Sequence, residues 1–165
     1  VDEIILAAAI ELLRELGYGA FTVDAVVTRT GVAKTTIYRR WPSKGTLAAA
    51  CIERLAPVAA LPSTGSLRAD VRELLGGTIA IFSSWLGPIL AGLVGDAQSD
   101  AALREVVERL IAPHRGLYAD VFARAGVSET GLRVDLVLGP LWERLLMTHA
   151  PLDEALAERI AALTT

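Results

Sequence analysis

The sequence predicts an all-α protein: an N-terminal three-helix helix-turn-helix unit followed by a larger helical domain, about nine helices in all. Three observations carry that expectation. Apolar residues recur at spacings of three and four along most of the chain, and no stretch alternates apolar with polar as a strand would. Glycine, proline and serine cluster at 57–66 and 87–88, where periodic segments would end. Residues 22–44, TVDAVVTRTGVAKTTIYRRWPSK, hold two short amphipathic stretches parted by a glycine.

The elements follow in order. Ile5, Ala9, Leu12, Leu13 and Leu16 lie on one face of a first helix, which Gly17 stops. Thr22 is placed to cap the second helix with its hydroxyl, and Asp24 in the first turn suits the positive helix end. Ala25, Val26 and Val27 give that helix its buried stripe, and Gly31 ends it because glycine takes a left-handed conformation without strain. Lys34, Thr35 and Thr36 open a third helix, Ile37 points to the core, and Pro42 limits it to about two turns. A fourth helix is expected over 43–56 with Ser43 as its cap. Gly45 and Ala48 are small there, which predicts a loose start.

Beyond the breaker at 57–66, a fifth helix is expected over 67–85. Gly87-Pro88 should separate it from a short sixth that ends near Gly95. Residues 96–100 read as a loop. The seventh helix, 100–125, should be kinked or split at Pro113, which cannot donate a helical amide bond. The eighth covers about 129–149 and the ninth about 152–163.

Charge is distributed unevenly. The whole chain of 165 residues carries a net charge of −3, but its first 47 residues are slightly basic and the acidic excess lies in the remainder. Between residues 25 and 52 every charged side chain is basic: Arg29, Lys34, Arg39, Arg40 and Lys44. A basic stripe on a helix pair is a phosphate-facing surface. When a helix-turn-helix docks, its second helix enters the major groove N-terminus first, which puts Thr35, Thr36 and Arg39 at base edges. Tyr38 and Lys44 fall nearer the phosphates, and Thr22 and Lys34 complete the expected DNA-binding set.

One cysteine, Cys51, excludes an intrachain disulfide and fits a reducing cytoplasm. It reads as a small buried residue of the fourth helix, in preference to a redox sensor beside Arg54. No apolar run reaches the roughly 18 residues of a membrane helix, and no secretory signal opens the sequence, so a cytoplasmic protein without a membrane partner is expected.

The spacing Tyr38-x-x-Trp41-x-x-Lys44 matches the Tyr-x-x-aromatic-x-x-Lys signature that closes the DNA-binding half of the TetR/AcrR family of transcriptional regulators. Upstream, Ile5-Leu6-Ala7-Ala8-Ala9 through Leu12-Leu13, then Leu16-Gly17-Tyr18 and Phe21-Thr22-Val23, resemble that family's first helix and the bend into its second. A weaker likeness runs through Leu138-Gly139-Pro140-Leu141, Leu145-Leu146 and Pro151-Leu152-Asp153. The basic arm that many members carry before the first helix is not part of this sequence. The resemblance implies a DNA-binding domain at 1–47 and a ligand-binding and dimerisation domain at 48–165. It implies a repressor that binds a palindromic double-stranded operator as a homodimer and is released by a small, apolar effector, with no cofactor.

Two sets of residues in the second domain bear on that expectation. Val134, Leu138, Leu141 and Leu145 share one helix face, and Leu156 and Ile160 form another, so two copies would build a four-helix bundle; packing within one chain is the alternative. Phe82, Trp85, Leu86, Tyr118, Phe122, Trp142, Leu146 and His149 are enough large groups to line a ligand cavity, or simply to fill it. Tyr118, Trp142 and His149 are favoured because each carries a polar atom that needs a partner when buried.

Catalytic patterns are lacking. His114 and His149 have no cysteine or carboxylate at metal-ligand spacing, Ser83 and Ser84 are not in a nucleophile elbow, and no glycine-rich loop joins a strand to a helix. An architectural DNA binder would explain the basic stripe but not a short reading helix with two threonines and Arg39. A helical enzyme or carrier would leave the first 47 residues unexplained.

Overall fold

A computed structural model describes all residues, Val1–Thr165. The chain forms nine α-helices and no strand. They are α1 (Asp2–Ala20), α2 (Val23–Thr30), α3 (Lys34–Arg40), α4 (Lys44–Leu55), α5 (Leu67–Ser83), α6 (Leu86–Ala97), α7 (Ala101–Arg124), α8 (Thr130–Glu143) and α9 (Glu154–Thr164). A single π-helical turn, Arg144–Thr148, continues α8.

Local chemistry sets most of the ends. Gly17 breaks the helical path of α1 with φ 71° and ψ 169°, and a last short turn follows it. The Thr22 hydroxyl accepts from the Ala25 amide, and Gly31 closes α2 at φ 70° with its amide bonded to the Val27 carbonyl. At α4, Ser43 and Thr46 form a reciprocal capping box. The loose start expected there is therefore corrected: Gly45 and Ala48 are buried, and their small size admits close packing. A Cβ at position 45 would lie 2.7 Å from the Leu103 side chain.

Three other boundaries differ from expectation. Gly87 and Pro88 lie within the first turn of α6, where proline costs nothing because that turn's amides have no helical acceptor. The break falls earlier, at Ser84, whose hydroxyl accepts from the Leu86 amide. Pro113 sits inside α7, so of the kink or split expected there the split does not occur. The eighth helix does not stay α-helical to residue 149: the His149 amide bonds back to the Arg144 carbonyl, and His149 itself is left-handed at φ 53°.

The chain divides into two compact units, one of Val1–Pro57 with Pro88–Leu110, the other of Val58–Gly87 with Ile111–Thr165. Neither follows a cut at residue 47, which lies inside α4 with Leu47 fully buried. In the first unit α1 packs on α2 and α4, and α2 on α3, around Ile5, Leu13, Phe21, Val26, Ile37 and Leu47. In the second, α5 and α8 pack on α9 around Val71, Leu75, Val137, Leu141 and Ala161. Burial of each large apolar side chain contributes roughly 1.5–3 kcal/mol.

Asp70, the buried charged residue of the second unit, holds a clasp. It accepts from the Thr64 amide (2.7 Å), the Thr64 hydroxyl (2.6 Å) and Arg124 (2.6 Å), and Arg124 also donates to the Pro62 carbonyl. The Thr64 hydrogen bonds, with Arg124 adding to them, hold its carboxyl below the usual carboxylate range.

Candidate nucleic-acid interface

Helix α3 is anchored by one side chain and exposes most of the others. Ile37 is completely buried, while Lys34, Thr35, Tyr38, Arg39 and Arg40 are exposed and Thr36 is half-buried. Thr35, Thr36 and Arg39 thus stand on a two-turn helix fixed from behind by Ile37 and from before by the Gly31 turn. Thr22 is exposed at the start of α2 with its hydroxyl engaged in the cap.

The basic stripe is less bare than its sequence suggests. Arg29 pairs with Glu11 (3.3 Å) and Glu15 (2.9 Å), Lys34 with Asp24 (2.7 Å), and Arg40 with Asp2 (2.7 Å). Arg39 makes no ion pair. Lys44 turns inward: its amine donates to the Tyr18 carbonyl at 3.2 Å and lies 4.5 Å from the centre of the Tyr18 ring. The Tyr18 hydroxyl in turn donates to Asp96 at 2.7 Å. Burial first, then this carboxylate, pushes the phenol well above its ordinary range.

Sequence reasoning missed these contacts. Tyr18 was notable only as part of a family pattern, and Asp24 only as a favourable charge at a helix end. The signal for Asp24 was an acid just ahead of an all-basic run, although nothing local says which base it meets. Cys51 is buried as expected, and desolvation pushes its thiol up to about 12, which makes it unreactive at neutral pH.

The expected ligand residues all belong to the second unit. Phe82 and Trp142 meet edge to face with ring centres 4.8 Å apart, and the Tyr118 hydroxyl shares a 2.8 Å hydrogen bond with Thr78. Leu86, Tyr118 and Phe122 are buried, Trp85 is half-buried, and Leu146 and His149 are exposed. A cleft of about 680 Å³ between α5 and α9, edged by Arg72, Gly76, Ile79, Ser83, Leu152 and Ala157, touches none of these eight.

The residues expected at a dimer interface are spent within the chain. Val134, Leu138, Leu141, Leu156 and Ile160 are buried and Leu145 is half-buried, so the stripe they form packs α8 and α9 on their own unit. On the other face of α8, Leu132 (55 % exposed) and Leu136 (57 %) are open, as are Met147 (76 %) on the π turn and Leu163 (85 %) on α9.

Comparison with known proteins agrees with the arrangement of α1–α4. Residues 5–51 match the family model described as bacterial regulatory proteins, tetR family, and residues 61–164 match the tetracyclin repressor-like C-terminal domain. The uncharacterized HTH-type transcriptional regulator YdeS of Bacillus subtilis is 32% identical over 163 residues, spanning 92% of this chain and 81% of that protein. The DNA-binding transcriptional repressor TetR of Mycobacteroides abscessus is 29% identical over 94% of this chain and 87% of its own. Among solved structures, the TetR family transcription regulator SCO0332 superposes with a TM-score of 0.80 at 31% identity, covering 98% of this chain and 95% of that one. A capped two-helix reader held by Ile37, matched together with the helical domain that follows it, identifies the chain as a member of the TetR family of transcriptional regulators.

Proposed function

We propose that this regulator is a repressor that binds a palindromic operator as a homodimer and is released by a small apolar effector. The observation that carries the reading is the outer face of α3, where Thr35, Tyr38 and Arg39 are exposed and Arg39 is free of any carboxylate. Arginine and threonine hydrogen-bond base edges in the major groove, and a tyrosine hydroxyl bonds phosphate. Thr36 stands beside them; Thr22, Lys34 and Lys44 flank the face. In this reading residues 1–47 recognise DNA and 48–165 bind ligand and partner.

A dimer places two α3 helices on two half-sites about one DNA turn apart, roughly 34–36 Å. The pairing face is the exposed side of α8, Leu132 and Leu136, because the opposite stripe of that helix is already buried. Effector binding falls to the second unit, whose buried Phe82, Tyr118 and Phe122 and half-buried Trp142 suit an apolar molecule better than a charged one. Coupling runs through α4, which begins at Lys44 beside Tyr18. To act, the effector must bind the DNA-competent and released geometries unequally. No catalytic role is proposed, and the protein works in the cytoplasm. No single helix is long and apolar enough to cross a membrane.

Selection of bound duplexes from a random library tests this reading. A two-fold-symmetric site should be enriched by the wild type and lost with Tyr38→Ala plus Lys44→Ala. Salt-sensitive binding without enrichment would favour an architectural role instead.

A further inference from the structure

Helix α3 carries three cations, and two of them are held by carboxylates of other helices in the same unit. Asp24, in the first turn of α2, sits 2.7 Å from the Lys34 amine; Asp2, at the start of α1, sits 2.7 Å from Arg40. Lys34 is the first residue of α3, where a positive charge is opposed by the helix dipole, so the Asp24 carboxylate offsets an unfavourable placement. The same amine lies 5.7 Å from the centre of the Tyr38 ring, so Asp24 and Tyr38 together fix its position. Arg39 alone on this helix points its charge at solvent with no carboxylate partner.

We propose that Asp24 is a specificity-setting residue: by holding Lys34 it withdraws a cation from sequence-independent phosphate contact and leaves base readout to Arg39. The inference rests on the DNA-binding reading above and deepens it. Phosphate contacts raise affinity for every duplex alike, whereas discrimination comes from base edges, so neutralising a phosphate-directed lysine widens the ratio between operator and random DNA. The Asp2–Arg40 pair acts in the same sense at the other end of α3.

The test measures affinity for a random duplex and for the selected operator across a salt series, using Asp24→Asn, Asp24→Glu, Lys34→Gln and the Asp24→Asn/Lys34→Gln double variant. Asp24→Asn should raise random-duplex affinity at least about threefold, steepen the salt slope by about 0.9, and narrow the operator-to-random ratio. Asp24→Glu, which keeps the charge, should stay close to wild type. In the Lys34→Gln background the gain from Asp24→Asn should vanish. A gain that persists there undiminished would mark Asp24 as a general negative charge and overturn the proposal, as would an unchanged slope in the single variant. Wild-type protein that binds no duplex would instead refute the DNA-binding reading itself.

Discussion

The Tyr18 hydroxyl donates to the Asp96 carboxylate at 2.7 Å, while the Tyr18 carbonyl and ring hold the Lys44 amine. One residue at the end of α1 thereby secures both the start of α4 and the end of α6. Tyr18→Phe keeps the ring and the carbonyl and deletes only the bond to Asp96. A hydrogen bond to a charged acceptor contributes about 1.5–3 kcal/mol, and partial exposure puts this one at the lower end, so urea unfolding should show a loss of roughly 1–2 kcal/mol. An unchanged midpoint would mean the bond is not formed in solution.

Two glycines of the same unit should respond to alanine unequally. A Cβ at position 92 would fall 2.5 Å from Tyr18 Cδ1 and 2.9 Å from Cγ, whereas one at position 45 meets the methyl ends of Leu103 at 2.7 and 2.9 Å and the Tyr18 hydroxyl only at 3.3 Å. A ring root cannot step aside as a leucine tip can. Gly92→Ala is expected to be the more destabilising, by about 2–3 kcal/mol, with Gly45→Ala partly offset by the roughly 1 kcal/mol that alanine gains over glycine in a helix. Thermal melts of the pair would check the order.

Acid should weaken the second unit through Asp70. Its carboxyl titrates lower in the folded chain than the roughly 3.9 of an unfolded one, so its contribution is present above that value and is lost as pH falls through the folded pKa. Wild type should therefore lose more stability between about pH 5 and pH 2 than Asp70→Asn does. Parallel acid limbs in the two denaturation series would contradict the clasp.

Self-association separates the two faces of α8. Leu132→Glu with Leu136→Glu should turn a dimer into a folded monomer, read by sedimentation equilibrium and helical signal together. Leu138→Ala, by contrast, should cost about 2–5 kcal/mol of stability through a buried cavity and leave the association equilibrium of the folded chain intact.

How much of this was legible in the sequence depends on the reach of each interaction. The caps at Thr22, Gly31 and Ser43 could be read because donor and acceptor lie within one turn. Gly45 reads locally as a weakness because the groups it makes room for, Leu103 and the Tyr18 hydroxyl, are far away in the chain. Periodicity showed that Val134, Leu138 and Leu141 share an apolar face but not whose atoms cover it; Leu132 and Leu136, on the other face, are the ones left open. The basic run of α2–α4 was plain, whereas the carboxylates that fold back on it from Asp2, Glu11, Glu15 and Asp24 were not, since pairing there is set by the angle between helices. Gly87-Pro88 reads as a stop because proline ends helices as readily as it begins them, and only the position of Ser84 decides between the two.

In the proposed function α3 reads base sequence, mainly through Arg39. Duplex selection from a random library, run with wild type, Tyr38→Ala and Arg39→Ala under one salt condition, tests it most directly. Arg39→Ala should erase base preference at particular positions, symmetrically in both half-sites and worth about 1–3 kcal/mol each, while Tyr38→Ala lowers affinity and keeps the preference. Equal weakening on every duplex by both variants would remove Arg39 from readout and contradict the account.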